Sequence, residues 1–167
     1  MACLLHRVDN NFFPRGHRFR SFNRLVYVSD SFAGHILRLK PGAKEFDVWA
    51  QDARWDVPDK PQLDGTAILP DGAIYANLFE GDGLYRIPIN ADGSAGTITK
   101  LQTSRPLYHS DGLRAFGPNK LLMVEGETKG NLDLVTIDGD NAKIEDHKGR
   151  VRRAGVARAG RRHDLRA

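Results

Sequence analysis

One feature limits what this chain can fold into: a single short pattern recurs at a near-constant interval. "LVYVSDSFAGHILRL" (25–39) lines up with "AIYANLFEGDGLYRI" (73–87), so that Tyr27 falls on Tyr75 and Leu39 on Ile87 with the same offset. A third copy, "LLMVEGETKGNLDLVTI" (121–137), keeps that offset from Tyr75 to Met123 and stretches it by two positions from Ile87 to Ile137. A Gly-led stretch precedes each copy: Gly16 before Tyr27, Gly65 before Tyr75 and Gly112 before Met123, at nearly the same distance upstream. A fixed period of roughly 50 residues marks a repeat architecture.

Each unit reads as strands. "VYVSD", "ILRL" and "FDVWA" in the first copy are short, β-branched or aromatic runs. So are "TAIL", "AIYANL", "LYRIPI" and "GTITKL" in the second, and "LRAF", "LLMVE", "LDLVTI" and "AKIEDH" in the third. Pro70-Asp71-Gly72, Ala91-Asp92-Gly93, Gly117-Pro118-Asn119 and Asp138-Gly139-Asp140 fall between runs, where hairpin turns belong. No window reads as an amphipathic helix. Four short strands per unit is the pattern of a β-propeller blade; a meander sandwich would not need the matched spacing. The expectation is an all-β β-propeller fragment of about three four-stranded blades, with irregular basic ends. The blades run over about 16–55, 63–109 and 110–149, within a propeller region of 15–149. An irregular segment, 1–14, precedes it and an Arg-rich tail, 150–167, follows. Propellers close with roughly 4–8 blades, so three make a part of one.

Composition narrows the partners. The chain of 167 residues is 40% hydrophobic and 28% charged, which suits a soluble globular domain. No apolar run approaches the roughly 20 residues of a bilayer span, and "MACLLHRVDNN" is a poor signal peptide, so a cytoplasmic location is expected. Cys3 is the only cysteine, which excludes a disulfide scaffold. The net charge of +4 belongs to the ends: the segment 150–167 holds seven Arg and one Asp, the segment 1–24 five Arg and one Asp. In the middle, 25–149, acidic side chains outnumber basic ones by 19 to 13. An acidic body disfavours nucleic acid and is compatible with cations. The tail "RVRRAGVARAGRRHDLRA" has no helical or strand period. It reads as a nucleic-acid-binding arm, as a disordered end, or as a stretch translated out of frame from a GC-rich gene.

Three of the Asp-Gly pairs, at 64–65, 71–72 and 111–112, sit beside first strands. Asp71-Gly72 lies between the first and second strands of its unit and is turn material. Asp64-Gly65 and Asp111-Gly112 precede first strands, at matching places in successive units. First strands of propeller blades are innermost, so both carboxylates would converge on the channel. Like charges brought together repel unless a cation or hydrogen bonds compensate, and paired oxygens suit a hard cation such as Ca²⁺. The alternative is an Asx turn that repeats because blades repeat. Strand two returns to the mouth from which strand one departs. Ser29, Asn77 and Glu125, which are evenly spaced along the chain, would therefore end there beside His109. Asn77, Glu125 and His109 are candidate substrate contacts; polar strand ends and a solvated loop histidine are the plainer readings. Trp49 and Trp55 read as packing between blades, Tyr75 and Tyr85 as blade core.

"LDGTAILPDGAIYANLFEGDGLYRIPINADGSAGTI" and "SDGLRAFGPNKLLMVEG" resemble the SMP-30/gluconolactonase/LRE-like proteins, which are six-bladed propellers. The resemblance covers about 16–149, three blades of six. It implies a metal-dependent hydrolase of sugar-type lactones or related esters that holds a divalent cation, Ca or Zn, in the channel. Asp111-Gly112 matches the family's Asp-Gly at an innermost-strand start. Asp64-Gly65 matches its Asn-Gly one blade earlier, with Asp in place of Asn. The resemblance thus makes Asp64 and Asp111 metal ligands and Asp111 the catalytic group that activates water. The family's Glu ligand has no match, and Arg15 at the equivalent start in the first unit argues against an intact site. Two further readings stand beside the hydrolase: a non-catalytic propeller scaffold, and an inactive truncated fragment. Uncovered blade faces would also favour self-association.

Overall fold

A computed structural model describes residues 25–126 and 130–147. The segments 1–14 and 150–167, and the stretches led by Arg15 and Gly16, lie outside the described residues. Twelve strands follow in order: β1 Val26–Asp30, β2 His35–Leu39, β3 Asp47–Gln51, β4 Leu63–Ile68, β5 Ala73–Leu78, β6 Leu84–Pro88, β7 Thr99–Lys100, β8 Gln102–Thr103, β9 Ser110–Ala115, β10 Lys120–Glu125, β11 Asn131–Asp138 and β12 Asn141–His147. The helical content of the described residues is one 3-10 turn, Ala53–Trp55, capped by Asp52, whose Oδ1 accepts the Arg54 N–H at 2.9 Å. No helix among the described residues is long and apolar enough to cross a membrane.

The strands form three sheets, β1-β2-β3, β4-β5-β6-β7 and β9-β10-β11-β12, the last extended at its outer edge by β8. Neighbouring strands within each meander are antiparallel. The all-β, blade-by-blade architecture expected from the repeat is what the chain adopts. The second sheet lies between the other two, and its sequence shows why. β5, "AIYANL", is buried at every position. Ala73 and Tyr75 join one apolar cluster with Leu113, Leu121, Met123 and Val135 of the third sheet. Ile74, Ala76 and Leu78 join another with Tyr27, Ile36 and Trp49 of the first and with Trp55 of the turn that follows it. Strand alternation thus sends odd residues to one neighbour and even residues to the other. Trp55, fully buried, meets Tyr85 edge to face with ring centres 5.4 Å apart, and Tyr27 meets Trp49 at 4.8 Å.

The outer edge departs from the expected blade. "GTITKL" does not continue as one strand. β7 pairs with β6, then Leu101 turns inward to burial and β8 pairs in parallel with β12 of the next sheet. The Gln102 N–H donates to the Asp140 carbonyl at 2.8 Å and the Ser104 N–H to the Ala142 carbonyl at 2.9 Å. One short segment therefore sews the second and third sheets together and covers an edge that would otherwise offer free backbone groups.

Candidate functional site

Both innermost strands begin with the same irregularity. Leu63 pairs with Leu78 and Thr66 with Ala76, so three steps on β4 oppose two on β5. Ser110 pairs with Glu125 and Leu113 with Met123, giving the same mismatch on β9. Asp64-Gly65 and Asp111-Gly112 are thus matching β-bulges, which re-aim side chains at a sheet's edge. Gly65 is required there by contact: a Cβ would lie 2.5 Å from the Asp111 carbonyl oxygen and 2.6 Å from the Leu113 nitrogen. At Gly112 a Cβ would meet nothing within 4 Å among the described residues.

The bulges bring the carboxyl groups of Asp64 and Asp111 close enough for each to act on the other's charge. Burial first, then the charge of Asp111 and its hydrogen bond, push the Asp64 carboxyl up to about 6. Asp64 is half-buried and Asp111 exposed. A cavity of about 280 Å³ is lined by Asp64 with Tyr27, Ser29, Thr66 and Arg114 and, on the apolar face of the third sheet, by Leu122, Val124 and Leu132; Asp111 is not among its lining residues. Sequence reasoning misses Arg114. It stands two positions beyond Gly112 on an innermost strand, and that placement is the signal that could have found it.

A polar ladder supports the pair from behind. The Ser29 hydroxyl donates to the Asp64 carbonyl at 2.7 Å. Asn77 Oδ1 accepts the Gly65 N–H at 2.7 Å, while its Nδ2 donates to the Asp111 carbonyl at 2.7 Å. Asn77 is fully buried. Its amide bonds to both bulges, so the side chain expected as a substrate contact lies behind the acidic pair. Glu125, expected beside Asn77 at the mouth, takes a different place. Leu121 pairs with Ala115 as Ile74 pairs with Ile68, so the third sheet follows the second with the offset of Asp111 from Asp64. Val124, not Glu125, then occupies the Asn77 position. A shift of one residue flips a side chain to the opposite face.

Glu125 lies instead in a separate pocket of about 200 Å³ with Arg105, Tyr108, Asn131 and Asp146. Arg105 Nη2 is 2.7 Å from Glu125 Oε2, 3.0 Å from Asp133 Oδ2 and 3.1 Å from Asp146 Oδ1. The Tyr108 N–H donates to the other oxygen of Glu125. Burial and the hydrogen bond with Glu125 push the fully buried Asp133 up to about 7. Burial opposes ionisation of Glu125 as well, but the bonds from Arg105, Asp133 and Tyr108 outweigh it and hold Glu125 below its usual range. Burial thus favours the neutral form at Asp133, while Arg105 favours the charged form of Glu125. His109, with φ 47, is half-buried between the rings of Phe79 at 5.1 Å and Tyr108 at 4.2 Å, directly before the Ser110-Asp111 strand start.

The two facing carboxyls fit a cation in charge and donor type, as oxygen ligands suit hard divalent ions. They supply two donors, and among the described residues no group of three or more His, Cys, Asp or Glu could hold a metal.

Comparison with known proteins adds the fold. No family model and no curated protein matches the chain. Among solved structures it is similar to one of streptogramin B lyase, at 17% identity and a TM-score of 0.53, over 76% of this chain and 38% of that one. The chain thus spans well under half the length of that β-propeller protein, and the likeness is one of fold.

Proposed function

We propose that the chain carries the mouth of a propeller hydrolase of the SMP-30/gluconolactonase/LRE-like kind, acting on sugar-type lactones or related esters. The observation that carries this reading is the pair of facing carboxyls at matching bulges, beside a cavity of small-molecule size. Asp64 and Asp111 would hold a divalent cation, Ca²⁺ or Zn²⁺, with further donors from water, substrate or residues beyond those described. A cation held there would supply Lewis acidity and charge neutralisation for ester cleavage. Asp111, the more exposed carboxylate, accepts a proton from the attacking water. Asp64 would act as a ligand of that cation. His109, packed between Phe79 and Tyr108 two residues before Asp111, would be a substrate contact.

The test is turnover of gluconolactone-type esters with Ca²⁺ or Zn²⁺ added, compared with Asp111→Ala. Turnover that requires cation and is lost in the variant is expected. No turnover, with no rise in melting temperature on adding either cation, would sink the hydrolase and leave the scaffold and inactive-fragment readings. The solved structure that shares this fold is a lyase by name. Running the assay in ¹⁸O water separates the two chemistries, since hydrolysis labels the acid product and elimination does not.

A further inference from the structure

A fully buried amide stands between two acidic bulges and bonds to the backbone of both. We infer that Asn77 is the positioning residue that sets the separation of Asp64 and Asp111, with Ser29 as its auxiliary. The inference rests on the reading of those two carboxylates as cation ligands.

The geometry forces the role. The Asp64 carboxylate is carried by a backbone fixed at two points: its own carbonyl accepts from Ser29, and the next residue's N–H donates to Asn77 Oδ1. The Asp111 carboxylate is carried by a backbone whose carbonyl accepts from Asn77 Nδ2. One planar amide therefore fixes β4 and β9 to each other at the bulge, where backbone pairing of β4 to β5 and of β9 to β10 is interrupted. Bulges leave a residue without ladder partners, so a side chain must satisfy it. An amide is suited to the place because it accepts at one atom and donates from another; an ionised carboxylate cannot donate, an alkyl group can do neither, and a hydroxyl would have to make both bonds from a single atom. The register of the sheets shows that the device is local. Ser29 and Asn77 occupy the same position in successive sheets, and the third sheet has Val124 there. The polar ladder thus serves the two sheet junctions that flank Asp64 and ends at Asp111.

Calorimetric titration with Ca²⁺ on the full chain tests this, using Asn77→Ala, Ser29→Ala and, as a control of packing loss away from the mouth, Leu101→Ala. Calcium affinity is expected to fall about tenfold or more in Asn77→Ala and by a smaller factor in Ser29→Ala. It should stay within about twofold in Leu101→Ala, although that variant melts lower. A folded Asn77→Ala that binds Ca²⁺ like the wild type overturns the inference. If Asn77→Ala does not fold, Ser29→Ala decides, and unchanged affinity there overturns it. Should the wild type bind no Ca²⁺, the cation reading fails and the clamp is judged by hydrogen exchange at the Gly65 amide. Protection lost at least about tenfold more in Asn77→Ala, or in Ser29→Ala where the former does not fold, than in Leu101→Ala supports it. Equal loss refutes it.

Discussion

The second and third sheets begin alike and end in different surroundings. Gly65 is jammed against the backbone of β9, and the face behind it is filled by Tyr75, Leu84 and the third sheet's Leu113, Leu121 and Met123. Gly112 looks onto space, and the face behind it presents Val124, 37% exposed, with Leu122, Leu132 and Leu134 half-covered. One sequence motif therefore has two energetic meanings. Where a neighbouring innermost strand is present, the glycine is a packing requirement; where none is described, it is a spare one. The comparison also shows what the motif does in common: it forms the bulge, and the bulge delivers the carboxylate.

The largest break in this comparison is the glycine pair. Gly65→Ala should destabilise by about 3 kcal/mol, the upper range for forcing atoms into a packed site, because the obstructing atoms are backbone. Gly112→Ala should be neutral or stabilising by up to about 1 kcal/mol, since its backbone is not left-handed. Urea unfolding of both variants reads the contrast, and equal losses would erase it.

Next comes pH. Asp64 is pushed up to about 6 and Asp133 to about 7, from ordinary values near 3.8. An acid whose value is raised by folding leaves the folded state binding more protons, so stability falls as pH rises. The stabilisation these two acids contribute is fully present below about pH 4 and is lost as the pH rises through 6 and 7, so the melting temperature should fall over that window. Asp64→Asn with Asp133→Asn should flatten the curve, whereas Ca²⁺ should remove only the Asp64 part. A melting temperature that climbs from pH 4 to 7.5 would count against both buried acids.

A smaller effect concerns the open face. Its apolar residues are expected to drive self-association at micromolar concentration, visible in light scattering, and Val124→Lys should reduce it. A monodisperse monomer would show that the third sheet needs no cover. The smallest expected effect is Val124→Asn, which restores the residue type of the Asn77 position where no second bulge is described to receive it. It should change stability by less than about 0.5 kcal/mol.

The strands and turns were legible because alternation and Asp-Gly or Pro-Asp-Gly punctuation are local signals. The two acidic strand starts were legible for the same reason. The register of the third unit was not. Aligning Tyr75 with Met123 puts Glu125 opposite Asn77, whereas aligning Asp64 with Asp111 puts Val124 there, and only backbone pairing decides between them. That single step moved Glu125 off the mouth. Asn77 itself reads as a polar strand end, and its burial between bulges depends on a neighbouring sheet that its own segment does not contain. The Arg105 cluster gathers side chains from a loop and from β10, β11 and β12, a convergence with no short-range trace.

The most direct measurement is calorimetric titration of the chain with Ca²⁺ near pH 6 in buffers of different ionisation enthalpy. Facing carboxyls that bind the ion together should release a fraction of a proton from Asp64 on binding, and Asp64→Asn should abolish that release. Saturating Ca²⁺ with no heat of binding, or binding that survives unchanged in an Asp64→Asn, Asp111→Asn double variant, would contradict the assignment of these two bulges as a cation site.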